Sequence, residues 1–206
     1  MAPKGDHAMH KNVLLTGLAL LASLTTSPAH ALDGSEPILQ PCFECHGRNG
    51  VSVKPEIPNI NGQLERYLVR ALKKLRSGER PSQDKPKQLK GMPDKDIAAI
   101  AQYFSRQNNE QPLQPFDGPK AAIGLQLHEE HCEACHNRNG RESSHFAPFL
   151  AGQRLDYLLT QTRAFMRGER PVPYMMDDSV KDLAVEDLEH LSHFYASQPR
   201  VVRPPY

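Results

Sequence analysis

One pentapeptide occurs twice in this chain, as Cys42-Phe43-Glu44-Cys45-His46 and as Cys132-Glu133-Ala134-Cys135-His136. Each copy is followed, one residue on, by Arg-Asn-Gly, at Arg48 to Gly50 and at Arg138 to Gly140. Further matches keep the same 90-residue offset: Gly62-Gln63 with Gly152-Gln153, Tyr67-Leu68 with Tyr157-Leu158, and Gly78-Glu79-Arg80-Pro81 with Gly168-Glu169-Arg170-Pro171. Beyond Pro171 the offset becomes 91, with Phe104 answering Tyr195 and Gln107 answering Gln198, so one residue was gained or lost in between. The chain therefore consists of two homologous units, each under 100 residues. The stretch from Gln107 to Pro119, rich in Asn, Gln and Pro, reads as the linker between them.

Within the first unit Leu64, Tyr67, Leu68, Ala71, Leu72 and Leu75 recur at helical spacing. A second amphipathic helix, with Asp94 as its expected N-cap, carries Ile97, Ile100, Ala101 and Phe104 inward. The second unit repeats both, through Leu155, Leu158, Leu159, Phe165 and Met166 and then Leu188, Leu191 and Phe194. A further helix is expected from about Lys120 to Glu133, whereas its counterpart before Cys42 is interrupted by Pro37 and Pro41 and must be short. Strand-like alternation is absent, so the fold class is all-α. The chain has no tryptophan and only 6% aromatic residues, which leaves few large side chains for two small cores. Something other than protein is expected to help fill them.

The N-terminus bears on what the cysteines can become. Lys4 and Lys11 precede an apolar run from Val13 to Leu24, and Ser27-Pro28-Ala29-His30-Ala31 offers small residues where a signal peptidase reads. The run falls well short of the roughly 20 residues that span a bilayer, so it reads as a cleaved secretory signal covering residues 1–31. Its removal takes two bases and one acid, and the formal charge of +1 falls to zero. No nucleic-acid footprint remains. Export to the periplasm puts all four cysteines where free thiols do not persist by default.

A zinc ribbon wants its two Cys pairs roughly 15 to 20 residues apart, and here 86 residues intervene. A thioredoxin-like redox pair needs a βαβ setting, and neither it nor a structural disulfide explains why His follows the second Cys both times. Cys-x-x-Cys-His in an exported chain reads instead as covalent attachment of c-type haem. Two thiols one helical turn apart can each add to a vinyl group of one porphyrin, and the adjacent His then lies under the iron. Cys42, Cys45 and His46, and Cys132, Cys135 and His136, are thus the expected sites of two covalently bound haem c groups.

Further residues carry a family resemblance. Pro58-Asn59-Ile60-Asn61-Gly62-Gln63 through Arg80, then Met92-Pro93-Asp94-Lys95-Asp96-Ile97 through Phe104, with the same order in the second half, resemble the diheme cytochromes c of the c-four family from about Pro41 to Gln198. The resemblance implies two tandem class I cytochrome c domains, at 32–112 and 113–206, related by a pseudo-twofold axis, with haem edges close enough for rapid internal electron exchange. It implies an electron carrier of the periplasm with redox protein partners, for example on the way to a terminal oxidase or reductase, rather than an enzyme. Related diheme subunits accept electrons from sulfur-compound dehydrogenases, and that alternative stands beside it.

In that family a Met seven residues before the hydrophobic residue that opens the last helical segment binds the far side of each iron. Counting back from Leu183 gives Met176, with Met175 as the near alternative. Counting back from Met92, which stands where Leu183 stands, gives Lys85. A lysine amine, with a free pKa of about 10.4, ligates only if the iron displaces its proton. Lys87 or Met92 could serve instead, or that iron could be open or water-bound and support chemistry on a small sulfur or peroxide substrate or bind a diatomic ligand. His128, His131, His145, His190 and His193 have no counterparts in the first unit and read as surface or supporting residues.

Charge is uneven. Arg66, Arg70, Lys73, Lys74, Arg76, Arg80, Lys85, Lys87 and Lys90 face only Glu65, Glu79 and Asp84 in the same span, a basic surface suited to an acidic redox partner. The attachment motif itself makes a direct prediction: two haems per chain stay with the denatured protein through acid–acetone extraction. Replacing both Cys42 and Cys45 by Ala leaves one, and loss of both haems on extraction of the native protein would refute covalent attachment.

Overall fold

The computed structural model describes residues 31–82, 87–108, 110–142, 144 and 146–200, together with Met1. The expected signal segment, apart from Met1 and Ala31, Lys85 and His145 lie outside the described residues. From Ala31 onward the chain forms one compact unit that contains both repeats, and among the described residues it contains helices and no strand. None of those helices is long and apolar enough to cross a membrane.

In the first repeat, a single 3-10 turn at Pro37–Leu39 runs into α1, Gln40–His46. Pro41 is tolerated because it occupies the first turn, where its missing N–H has no intrahelical partner to lose. Helix α2, Glu65–Ser77, packs against α3, Asp94–Ser105. Asp94 is the first residue of α3 rather than its cap, which is Pro93. Its carboxylate is instead drawn to Lys73 and Arg76 on α2, at 2.6 and 2.8 Å. The expected inner face of α3 is borne out, since Ile97, Ile100, Ala101 and Phe104 are all buried. With Leu39, Leu68 and Tyr103, all but Ile97 form the first core cluster, and Phe43, Tyr67 and Met92 pack on its edge.

The second repeat opens with α4, Gly118–His131, capped by Asp117, whose carboxylate accepts from the Lys120 N–H at 2.9 Å. The connection between the repeats therefore ends at Asp117, two residues earlier than the composition suggests. A four-residue turn, α5, Asn137–Gly140, follows the second Cys motif with Arg138 and Asn139 left-handed. Then come α6, Leu155–Met166, α7, Tyr174–Val180, and α8, Val185–Ser197. Helix α8 packs against both α6 and α4, and Leu158, Leu183, Leu188, Leu191, Phe194 and Tyr195 make the second core. Met166, expected to face inward, is exposed at the end of α6.

The recurrent short motifs have geometric causes. The Gly50 carbonyl accepts from Ile60 and Asn61, and the Gly140 carbonyl from Leu150 and Ala151. Both glycines have positive φ, and a Cβ on Gly50 would meet the Asn61 backbone nitrogen at 2.7 Å. The Gly62 N–H reaches the Phe104 carbonyl and the Gly152 N–H reaches that of Tyr195, both at 2.9 Å. Phe104 and Tyr195 are therefore structural equivalents, as the 91-residue offset requires.

The two repeats meet along a seam with twofold logic. The Gln153 side chain accepts from the Asn59 N–H at 2.8 Å and donates to the Asn59 carbonyl at 2.9 Å. Gln63 does the same to Phe149, accepting at 3.0 Å and donating at 2.9 Å. Since Asn59 is equivalent to Phe149 and Gln63 to Gln153, the exchange is isologous, as a twofold axis demands. Both glutamines are buried, at 3% and 4% exposure. Arg200 sits across the same axis, donating to the equivalent carbonyls of Asn61 and Ala151 at 2.9 and 3.0 Å, and burial pulls its pKa down to about 9. Gln111 and Gln114, which read as linker, also bond into this seam. Gln63→Ala removes the two hydrogen bonds that the buried Gln63 amide makes to the Phe149 backbone and is expected to cost about 1–3 kcal/mol, read by denaturant unfolding; a loss below about 0.5 kcal/mol would mean that these two bonds do not hold the seam.

Candidate haem-attachment sites

Cys42 and Cys45 lie one turn apart on α1, which His46 closes. In the second repeat the same spacing is held by a turn in which Cys135 and His136 N–H groups return to the Cys132 carbonyl at 3.1 and 2.9 Å. All four thiols are free of disulfides, and no cluster among the described residues has the three or more donors a metal ion would need. Cys42 packs on the first core cluster and Cys132 on the second. Burial raises the Cys42 thiol to about 11, with Cys45 adding to the effect, and raises Cys132 as well. One thiol of each pair thus borders an apolar core, and Cys132 also hydrogen-bonds Tyr195.

The histidines are prepared as ligands. His46 Nδ1 lies 2.9 Å from the Pro58 carbonyl, and a carbonyl only accepts, so Nδ1 carries the proton and Nε2 keeps its lone pair. Burial lowers the His46 pKa against the pull of that carbonyl. His136 is buried and lowered to about 4 by burial and by the charge of His128. Its Nδ1 closes no hydrogen bond, although the Pro148 carbonyl, equivalent to that of Pro58, still pulls its pKa weakly upward. Neutral imidazole is the form that binds iron, and two thiols per turn beside it match the porphyrin attachment the sequence motif implies. The residues present fit haem.

On the expected far side, Met176 on α7 is half-buried while its neighbour Met175 is 60% exposed. Met92 packs on the first core in the manner of Leu183 on the second, and its carbonyl accepts from Arg76 at 2.6 Å. Lys87 is exposed in a short 3-10 turn, Lys87–Leu89.

Of the histidines expected to be surface or supporting residues, two are interior. His128 is fully buried, hydrogen-bonded to the Tyr195 hydroxyl at 2.9 Å and paired with Glu133, and His193 is buried beside Asp117, whose N–H it accepts at 3.1 Å. Neither is a surface residue. Having no equivalent in the first repeat, they carried no positional signal. Arg80, counted with the basic surface, turns inward to the Tyr157 hydroxyl of the other repeat. Arg66, Arg70, Lys73, Lys74 and Arg76 do share one surface of α2, lining a groove of about 470 Å³ with Glu79, though Asp94 offsets Lys73 and Arg76, and Glu79 offsets Lys74.

No family model matches the chain. It is 31% identical to cytochrome c4 of Stutzerimonas stutzeri over 89% of this chain and 97% of that protein. Among solved structures it is similar to reduced recombinant cytochrome c4 from Pseudomonas stutzeri, with a TM-score of 0.69 and 28% identity over 78% of this chain and 94% of that one. It also superposes on part of a thiosulfate dehydrogenase from Marichromatium purpuratum, with a TM-score of 0.66 and 25% identity over 77% of this chain and 36% of that one. With paired thiols, neutral imidazoles and a twofold seam joining two all-α cytochrome c domains, the chain belongs to the cytochrome c4 family of diheme electron-transfer proteins and carries two covalently bound haem c groups.

Proposed function

We propose that this protein is a directional two-haem electron relay of the periplasm, passing electrons from a donor at the first haem to an acceptor at the second. Cys42, Cys45 and His46 hold one haem; Cys132, Cys135 and His136 hold the other, in domains spanning 32–112 and 113–206. Met176 is the far-side ligand of the second iron, supported by its half-burial beside an exposed Met175. Lys85 takes that place in the first site. The observation that carries the direction is the departure of the repeat at this one position, Asp84-Lys85 against Met175-Met176, while both cysteines, the following His and Gly-Glu-Arg-Pro all agree.

Thioether ligation stabilises ferrous iron, whereas an amine or water favours ferric. The first haem is then the lower in potential, and electrons entering there run downhill to the second. The basic groove of α2 lies on the first repeat and supplies the attraction for an acidic donor. A second reading, an enzyme or the cytochrome subunit of one that acts on a small sulfur substrate at an incompletely ligated first haem, draws on the likeness to the thiosulfate dehydrogenase structure. Carbon monoxide added to the reduced protein separates the two, because a carrier with both irons six-coordinate gives no spectral change.

Potentiometric titration is expected to resolve two steps. Met176→Ala abolishes the Met-to-ferric absorption and lowers the higher step, and Lys85→Met draws the two together. Two equal steps with Met-type spectra in the native protein would overturn the assignment of Lys85. For docking, Arg66→Glu is expected to slow electron uptake from an acidic partner by about tenfold at low salt, with the difference vanishing at high salt; equal rates at low salt would remove the α2 groove from the docking surface.

A further inference from the structure

A chain of polar groups runs beside the second attachment motif, where the first repeat is apolar. A Cβ on Gly124 would meet the His190 carbonyl oxygen at 2.2 Å, so the bare glycine lets α4 lie close against α8. One turn further along α4, His128 is completely buried against the Phe194 and Tyr195 rings, at centroid distances of 5.0 and 5.5 Å. Its Nδ1 lies 2.9 Å from the Tyr195 hydroxyl, and its Nε2 pairs with the Glu133 carboxylate. That carboxylate also accepts from the Arg138 and Asn139 N–H groups at 2.8 and 3.3 Å. Against its burial, these amides and His128 hold it below its ordinary pKa. At the other end of the chain the Tyr195 hydroxyl hydrogen-bonds the Cys132 sulfur. In the first repeat Ile38, Phe43 and Phe104 stand where His128, Glu133 and Tyr195 stand, and the two rings meet edge to face at 6.1 Å.

Counting protons gives this chain a direction. A carboxylate only accepts, so His128 Nε2 carries a proton. While Cys132 is a thiol, three bonds are served by three protons: Nε2–H to Glu133, the Tyr195 O–H to Nδ1, and S–H to the Tyr195 oxygen. Attachment adds the thiol across a haem vinyl. The sulfur bonds one carbon and the proton goes to the other, so the thioether sulfur that remains can only accept. Two protons are then left for three bonds. Either the sulfur goes without, or His128 is an imidazolium that donates from both nitrogens and turns the Tyr195 O–H onto the sulfur. The second arrangement completes every bond of the chain and makes the contact with Glu133 a charge-assisted one, the stronger kind.

We propose that Glu133 and His128 aim the Tyr195 hydroxyl at the thioether sulfur joining Cys132 to the second haem, and that this hydrogen bond raises the potential of that haem alone. A donor on the sulfur draws electron density from the porphyrin and favours the ferrous state. His128 and Glu133 act through Tyr195 and are positioning residues. The proposal rests on the two-haem reading and deepens it, because it makes the haems unequal by a route separate from their far-side ligands.

The test uses the full chain with both haems, with haem content and far-UV circular dichroism as controls, so that a failure of the two-haem reading is seen separately as a wrong haem count. Tyr195→Phe removes one oxygen and keeps the ring. It is expected to shift the thioether C–S band in the resonance Raman spectrum and to lower the higher potential, that of the second haem, by about threefold in the ferric-to-ferrous equilibrium, about 28 mV for one electron. The lower potential stays. Glu133→Gln leaves His128 neutral, and Tyr195 turns to its Nδ1. The higher potential is then expected to fall by a similar factor, although loss of an anion near a haem would by itself raise it, and in the double variant the two falls do not add. An unmoved band and potential in folded, fully loaded Tyr195→Phe would overturn the hydrogen bond. A rise or no change in Glu133→Gln would mean that Tyr195 already faces His128, and it overturns the proposal even where Tyr195→Phe loses haem. Additive falls would overturn the aiming role of Glu133, and a fall in the lower potential, alone or with the other, would overturn confinement to the second haem.

Discussion

Two buried glutamine side chains hold the rest of this structure in register. Each spends its amide donor and acceptor on the backbone of the opposite repeat, and neither has water to turn to. A buried amide left unmatched costs about 1–3 kcal/mol, so the two repeats cannot slide or rotate without exposing several such debts together. Because the gripped residues directly follow the prolines whose carbonyls face His46 and His136, the same register that joins the repeats also sets the two histidines relative to each other. For an electron relay this matters more than the strength of the joint.

The twofold logic stops at the periphery. The first repeat enters its Cys motif through a 3-10 turn and a short helix, whereas the second does so from the fourteen-residue α4, which packs along α8 and buries His128 against Tyr195 and Glu133. Helix α7 carries Met175 and Met176 in the second repeat, and of the matching stretch in the first the described residues Lys87–Leu89 form a 3-10 turn. The cationic groove belongs to α2 of the first. A duplicated scaffold thus keeps its halves interchangeable at the seam, where reciprocal contacts demand it, and lets them diverge where each meets solvent, partner or the far side of its own iron.

Much of this was legible from residue order. The Cys-x-x-Cys-His copies named the cofactor, and the 91-residue offset paired Phe104 with Tyr195, which the equivalent hydrogen bonds from Gly62 and Gly152 bear out. The apolar period of α3 was sound because burial on one face leaves a regular trace. Asp94 misled because acidic residues suit both a cap and a first turn, and only its distance to Lys73 and Arg76 decides between them. Met166 misled in a similar way: it keeps the helical period but is the last residue of α6 and stands exposed there.

What the sequence by itself determined is whatever depends on spacing along the chain: the duplication, the all-α class, the two thiols per turn with an adjacent imidazole, and the departure at Lys85. Only the tertiary structure decided which long polar side chains face water and which face the other repeat. Arg80 reads as part of a basic surface, and nothing in the sequence marks Gln63, Gln153, Arg170 or Arg200 as interior, because an amide or a guanidinium is at home in solvent and its burial leaves no periodic mark. They become interior only when a second repeat, some 90 positions away, brings the matching carbonyls, N–H groups and hydroxyls to within hydrogen-bond reach.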